Sequence, residues 1–261
     1  MDEPHLLLTN DDGIDSVGFR ALYDALSTFA EVTAVAPNGD QSAVGRAMSR
    51  AVDVETHDLG YAIHGTPADC TVVGLEALCP DVDMVVAGCN RGANLGAYVL
   101  GRSGTVSAAV EAAFFDVPAL AVSLYVPGAD GEWQHAADET RHYRNATEAT
   151  TYLVDHALGA GVFEQADYLN VNVPIHEPGD DLAPIEITEP STLYDMRAER
   201  DGDRISLTDN VWARMRDGTL PDPQGTDRRA IVEGRVSVSP LTAPHSPEHH
   251  EALDALAETY R

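Results

Sequence analysis

Short apolar runs alternate with segments of helical spacing over the first two thirds of the chain. Residues 5–9 (HLLLT) form an apolar run that ends in polar turn residues, as a buried parallel strand does. From Val17 to Phe29 apolar side chains recur at helical spacing, and VTAVAP (32–37) is a second β-rich run stopped by Pro37. Strand, loop, helix and strand in this order predict the start of a doubly wound α/β sheet. The β-like pieces AVDVET (51–56) and YAIHG (61–65) follow a polar loop, and 65–78 reads as a helix with Pro67 in its first turn. DMVVAG (83–88) predicts a strand, TVSAAVEAAFF (105–115) a helix of small residues, and PALAVSL (118–124) a strand. A surface helix is expected over 136–160, and YLNVNVP (168–174) is read as the last core strand.

Beyond residue 175 the pattern changes to β-like pieces with turns (IEITEP, DRISLT, GRVSVSP), which predicts a protruding antiparallel arm, and 246–260 predicts a terminal helix. The expected fold class is α/β. A catalytic core spans 1–175, and a β-rich arm with C-terminal helix, a candidate oligomerisation element, spans 176–261.

Charge narrows the functional classes. The chain has 43 acidic and 16 basic residues, a net charge of −27, and no lysine. Such a surface repels nucleic acid duplexes and anionic lipid. The acids are spread along the chain, which points to a folded surface adapted to a high-salt cytoplasm. Without lysine there is no P-loop lysine, no Schiff base and no lysine phosphate clamp. No apolar run reaches the roughly 20 residues of a membrane span. The start, MDEPHLLL, is acidic where a secretory signal is basic, so a cytoplasmic, unprocessed protein is expected. Cys70, Cys79 and Cys89 form no CxxC pair and are expected as buried free thiols.

Four loop segments carry candidate chemistry, and three of them follow predicted parallel strands, where ligands bind in open α/β sheets. TNDDG (9–13) places Asp11 and Asp12 side by side, and adjacent carboxylates repel unless a positive charge lies near. Ser42 follows the second strand, and Asn90 and Asn94 lie in the glycine-rich loop AGCNRGANLG (87–96). Ser103, Gly104 and Thr105 open a helix, where N–H groups and hydroxyls can bind an anion. Each piece alone also has a plain structural reading as turn acids, a turn serine, left-handed asparagines or a helix cap. Together they make an all-oxygen set suited to a hard divalent cation, Mg2+ or Mn2+ first and Ca2+ as an alternative, beside a phosphate cradle. That equipment suits phosphate ester hydrolysis.

In this order the segments resemble the SurE (stationary-phase survival protein) family of nucleotidases. Eight pieces match in sequence: LLLTNDDG, VAPNGDQS, GTPADC, DMVVAGCNRGANLG, RSGTVSAAVE, PALAVS, LNVNVP and TDRRAIVEGRVSVSPL. The resemblance implies a Rossmann-like, mostly parallel core and an arm exchanged between subunits of a homodimer or homotetramer. It implies release of phosphate from nucleoside 5′-monophosphates, with 3′-monophosphates and short polyphosphate as further substrates. It places one divalent metal ion per subunit on Asp11, Asp12, Ser42 and Asn90. Asn94, Ser103, Gly104 and Thr105 are expected to hold the phosphate, and one of Asp11 and Asp12, with Asp11 preferred, to accept the attacking water's proton. Ala87, Cys89 and Arg102 depart from the family's usual Ser, Ile and Tyr without replacing a ligand. The competing readings are a nucleotide- or phosphate-binding regulator without catalysis, and a phospho-aspartate phosphatase, which would need D-x-D and a lysine. A dinucleotide oxidoreductase would need GxGxxG after the first strand.

Overall fold

The computed structural model describes residues 3–128, 137–243, 245 and 251–260. Leu6, Leu7 and Leu8 are fully buried in β1 (His5–Thr9), the centre of the core. Truncating any one of them to Ala would cost about 2–5 kcal/mol. The next elements are α1 (Val17–Leu26), β2 (Glu31–Pro37), β3 (Val54–His57) and β4 (Gly60–Ile63). Then α2 (Pro67–Val73) runs into a π-helical turn (Gly74–Leu78), followed by β5 (Met84–Arg91), α3 (Ala97–Leu100), α4 (Gly104–Phe114) and β6 (Ala119–Tyr125). Helix α2 starts on a capping box in which Thr66 and Asp69 satisfy each other's backbone N–H groups.

The helix expected over 136–160 is shorter. A 3-10 turn (Thr140–Tyr143) precedes α5 (Arg144–Ala157), and residue 136 lies outside the described residues. The chain continues through β7 (Tyr168–Pro174), β8 (Ile185–Ile187), β9 (Met196–Asp201), β10 (Arg204–Asp209), α6 (Asn210–Arg216), α7 (Asp227–Val232) and β11 (Val236–Leu241). The terminal helix α8 (Glu251–Thr259) matches the described part of 246–260; residues 246–250 lie outside it.

One nine-stranded sheet has the order β3-β4-β2-β1-β5-β6-β7-β11-β8, and β9 pairs antiparallel with β10 in a separate hairpin. The six strands from β4 to β7 are parallel. Helices α1 and α5 cover one face and α2 and α4 the other, each over its own apolar cluster. The reading of β7 as the last core strand is therefore corrected. Strand β11 pairs antiparallel with β7 and parallel with β8, so both belong to the sheet, and only β9 and β10 stand apart as a hairpin. The chain moves outward from β1 through β2 to β4 and then crosses back to β5 on the other side of β1. This makes the carboxyl ends of β1 and β5 the topological switch point. No helix among the described residues is long and apolar enough to cross a membrane.

Candidate active site

Asp11 and Asp12 leave β1 in the turn that Asn10 shapes by donating to the Gly13 carbonyl (2.8 Å) and to Ser16 Oγ (2.9 Å). Four contacts draw the predicted segments onto this pair. The Gln41 N–H donates to the Asp11 carbonyl at 2.7 Å, which brings in the loop after β2. The Arg91 N–H donates to Asp12 Oδ2 at 2.7 Å, which brings in the end of β5. Thr105 donates its hydroxyl to Asp11 Oδ1 (2.6 Å) and its N–H to Asp11 Oδ2 (3.2 Å), which brings in the start of α4. At Gly104 a Cβ would stand 2.8 Å from the Asp11 Cβ, so glycine is what lets this helix start close over the carboxylate.

The electrostatics favour a cation. Burial, and then the neighbouring Asp12, push the Asp11 carboxyl up to about 6 against the hydrogen bonds from Thr105. Burial also raises Asp12, with Asp40 adding to it and the Arg91 N–H opposing. Two acids that resist ionisation side by side are what a bound divalent ion would relieve. The remaining donors fit a hard cation as well. Ser42 gives its hydroxyl proton to Asp40 Oδ1, leaving its oxygen lone pairs open. The Asn90 amide nitrogen donates to the Gly92 carbonyl, which can only accept, so its Oδ1 is free to accept or coordinate. Asp40 was missed in the sequence. Its N–H and hydroxyl bonds from Ser42 form a local side-chain turn that the D-x-S spacing could have signalled.

The expected phosphate cradle is arranged differently from its reading as an open anion site. The anion at the start of α4 is Asp11 itself, and the fully buried Thr105 is committed to it. Ser103 caps the helix by accepting from the Val106 N–H at 3.1 Å. Asn94 is buried, and its amide donates to Ser123 Oγ at 2.9 Å. Arg102 lies with its guanidinium 5.2 Å from the Tyr98 ring centroid, a cation–π distance. Close by, Arg46 pairs with the buried Glu111 at 2.6 Å, across the loop after β2 and α4. A cavity of about 450 Å³ opens elsewhere, beside α5, lined by Arg141, Arg144 and His176. None of the predicted site residues lines it, and Arg141 is already paired with Glu139 at 2.7 Å.

Comparison with known proteins agrees with the family resemblance. A family model described as "Survival protein SurE" matches residues 6–195. The chain is 66% identical over 261 residues to a Haloarcula marismortui protein named 5′-nucleotidase SurE, covering 100% of this chain and 96% of that one. It is 63% identical over 257 residues to a protein of the same name from Haloquadratum walsbyi, covering 98% and 96%. The crystal structure of the SurE protein from Aquifex aeolicus superposes with a TM-score of 0.79 at 27% identity, covering 98% of this chain and 99% of that one. The chain belongs to the SurE family.

Proposed function

We propose that this protein is a divalent-metal-dependent 5′-nucleotidase, a phosphohydrolase acting on nucleoside monophosphates. The observation that carries the reading is the pair Asp11 and Asp12 at the switch point, the first buried and the second half-buried, both pushed toward their neutral forms. Full-length similarity to proteins named 5′-nucleotidase SurE supports the activity. Asp11, Asp12, Ser42 and Asn90 would hold one Mg2+ or Mn2+ ion. Bound there, the cation supplies neutralisation of phosphate oxygens and polarisation of the attacking water.

The chain's own groups divide the remaining work. Thr105 fixes the plane of the Asp11 carboxylate through both oxygens. Asp12 uses Oδ2 for the Arg91 N–H and keeps Oδ1 open, so we assign acceptance of the water proton to Asp12 Oδ1 rather than to Asp11. Asn94, Ser103 and Gly104 are assigned to the phosphate, Thr105 acting on it only through Asp11. The free, buried cysteines suit a reducing compartment, which supports a cytoplasmic enzyme. The exposed apolar side chains of the β9–β10 hairpin support an arm exchanged in a homodimer or homotetramer.

A phosphate-release screen over nucleoside 5′- and 3′-monophosphates and short polyphosphate, with each divalent metal in molar salt, tests this reading. Metal-dependent release from 5′-monophosphates is expected. Tight nucleotide binding without release would favour the regulator instead.

A further inference from the structure

Two of the matched motifs, LNVNVP and TDRRA, lie outside the site described above, yet their side chains reach it. Past Arg91 the glycine-rich loop leaves the sheet, and its buried main-chain groups need partners from elsewhere. The Asn172 amide on β7 supplies two of them. Its Oδ1 accepts from the Asn94 N–H at 2.8 Å, and its Nδ2 donates to the Asn94 carbonyl at 3.1 Å. Asn170 Nδ2 adds a second donor to that carbonyl at 2.9 Å. A reversed Asn172 amide would break both of its bonds, so its orientation is set. Asn90, Ser123 and Asn172 are also register neighbours across β5, β6 and β7, and Ser123 is the acceptor of the Asn94 side chain.

The other end of the loop is held by α7. Asp227 Oδ2 accepts from the Gly96 N–H at 2.6 Å, while Oδ1 accepts from the N–H groups of Ser191 (3.0 Å) and Arg228 (2.7 Å). Arg228 is fully buried and donates to the carbonyls of Leu95 (3.2 Å) and Leu193 (2.9 Å). The guanidinium lies against the loop: a Cβ at Gly96, whose φ is +88°, would fall 2.0 Å from Arg228 Nη2.

We propose that Asn172, Asp227 and Arg228 are positioning residues for the nucleotidase reaction. They hold the main chain from Asn94 to Gly96, and through it the amides of Asn94 and Asn90. The inference rests on the functional reading above, which assigns those two amides to phosphate and metal. Three side chains from two distant parts of the chain, β7 and α7, grip three consecutive residues of one loop, and the loop's own sequence does not fix that geometry.

Asn172→Ala, Asp227→Asn and Val171→Ala, the last a core truncation on the same strand, distinguish positioning from plain stability. Four quantities are compared: amide hydrogen exchange at Asn94 and Gly96 in chelating buffer, Mn2+ affinity, kcat and KM with AMP, and the melting midpoint. Exchange at Asn94 should quicken at least about tenfold in Asn172→Ala, and likewise at Gly96 in Asp227→Asn. Both variants should lose about 10–100-fold in kcat or Mn2+ affinity. Val171→Ala should melt lower with kcat and Mn2+ affinity within twofold of the native protein. Native kcat and Mn2+ affinity in Asn172→Ala would overturn the proposal, as would an equal loss of both in Val171→Ala. If Asn172→Ala does not fold, Asn170→Ala removes one bond at the Asn94 carbonyl and is read the same way. A native chain that releases no phosphate would refute the functional reading alone, and exchange with Mn2+ affinity would then decide the positioning claim.

Discussion

The Thr105 hydroxyl donates to Oδ1 of Asp11 at 2.6 Å, joining residues 94 positions apart at the centre of the site. The bond makes the start of α4 a mount for a carboxylate. It also accounts for a fully buried threonine directly after the glycine that lets the helix approach. Thr105→Ala should therefore lower stability by about 1.5–3 kcal/mol, the range for a hydrogen bond to a charged group. It should also reduce phosphate release, and Thr105→Ser should restore most of both. Urea melts and release assays on the two variants check this. An alanine variant with native turnover would show that the bond serves stability alone.

The Asp11 carboxyl gives the stability a defined pH dependence. Its folded value of about 6 lies above the ordinary 3.8, so the folded state binds the proton more tightly than the unfolded state. The penalty is absent below pH 3.8 and complete above about pH 6. Without metal, the native protein should therefore lose stability relative to Asp11→Asn as pH rises through that window. Their difference should change by about 3 kcal/mol, the free energy that separates a folded value near 6 from an unfolded one of 3.8. Urea unfolding of both proteins in chelator and constant molar salt, from about pH 4 to 7, measures it. A constant difference would contradict the assignment.

Much of this was legible in the chain, and the misses have physical causes. HLLLTNDDG and DMVVAGCN announced buried strands ending in polar loops because β1 and β5 are covered on both faces. GRVSVSP was read as part of an arm because beyond residue 175 the α/β alternation gives way to β-like pieces with turns. In the fold Ser237 and Ser239 are buried, and Thr188 bonds both hydroxyls at 2.7 and 2.8 Å. Paired hydroxyls let a polar face enter the core, and periodicity alone does not reveal the partner. Helix α7 was missed because it is six residues long, with Arg228 fully buried where an arginine is usually exposed. At the site, residue types pointed to Asp11, Asp12, Ser42 and Asn90. They could not show that the Thr105 hydroxyl faces Asp11, because that depends on how α4 packs.

Surface charge predicts a salt requirement. With a net charge of −27, the folded surface repels itself when counterions are scarce. The melting midpoint should fall steadily as salt is lowered from molar to tens of millimolar concentrations. A midpoint unchanged over that range would contradict the reading of this surface as adapted to high salt.

The hairpin of β9 and β10 carries Ile205 and Leu207, 61% and 73% exposed in the single chain. If it is the exchanged arm, Ile205→Glu with Leu207→Glu removes two buried side chains from the subunit contact and forfeits about 3–6 kcal/mol of association. Light scattering in molar salt should then report a monomer in place of the native oligomer. An unchanged mass would assign these side chains to another surface.

If Asp11 and Asp12 are the metal-dependent centre of a nucleotidase, Asp12→Asn should silence it. The substitution keeps shape while removing one charge and the open proton acceptor at Oδ1. The measurement is inorganic phosphate released from AMP by native and variant protein at saturating Mn2+ and again in chelator. Release by the native chain is expected only with metal, with a loss of at least about 100-fold in the variant, the size of a general base and charge removed together. Native turnover that persists in chelator, or an Asp12→Asn protein that releases phosphate at the native rate, would contradict it.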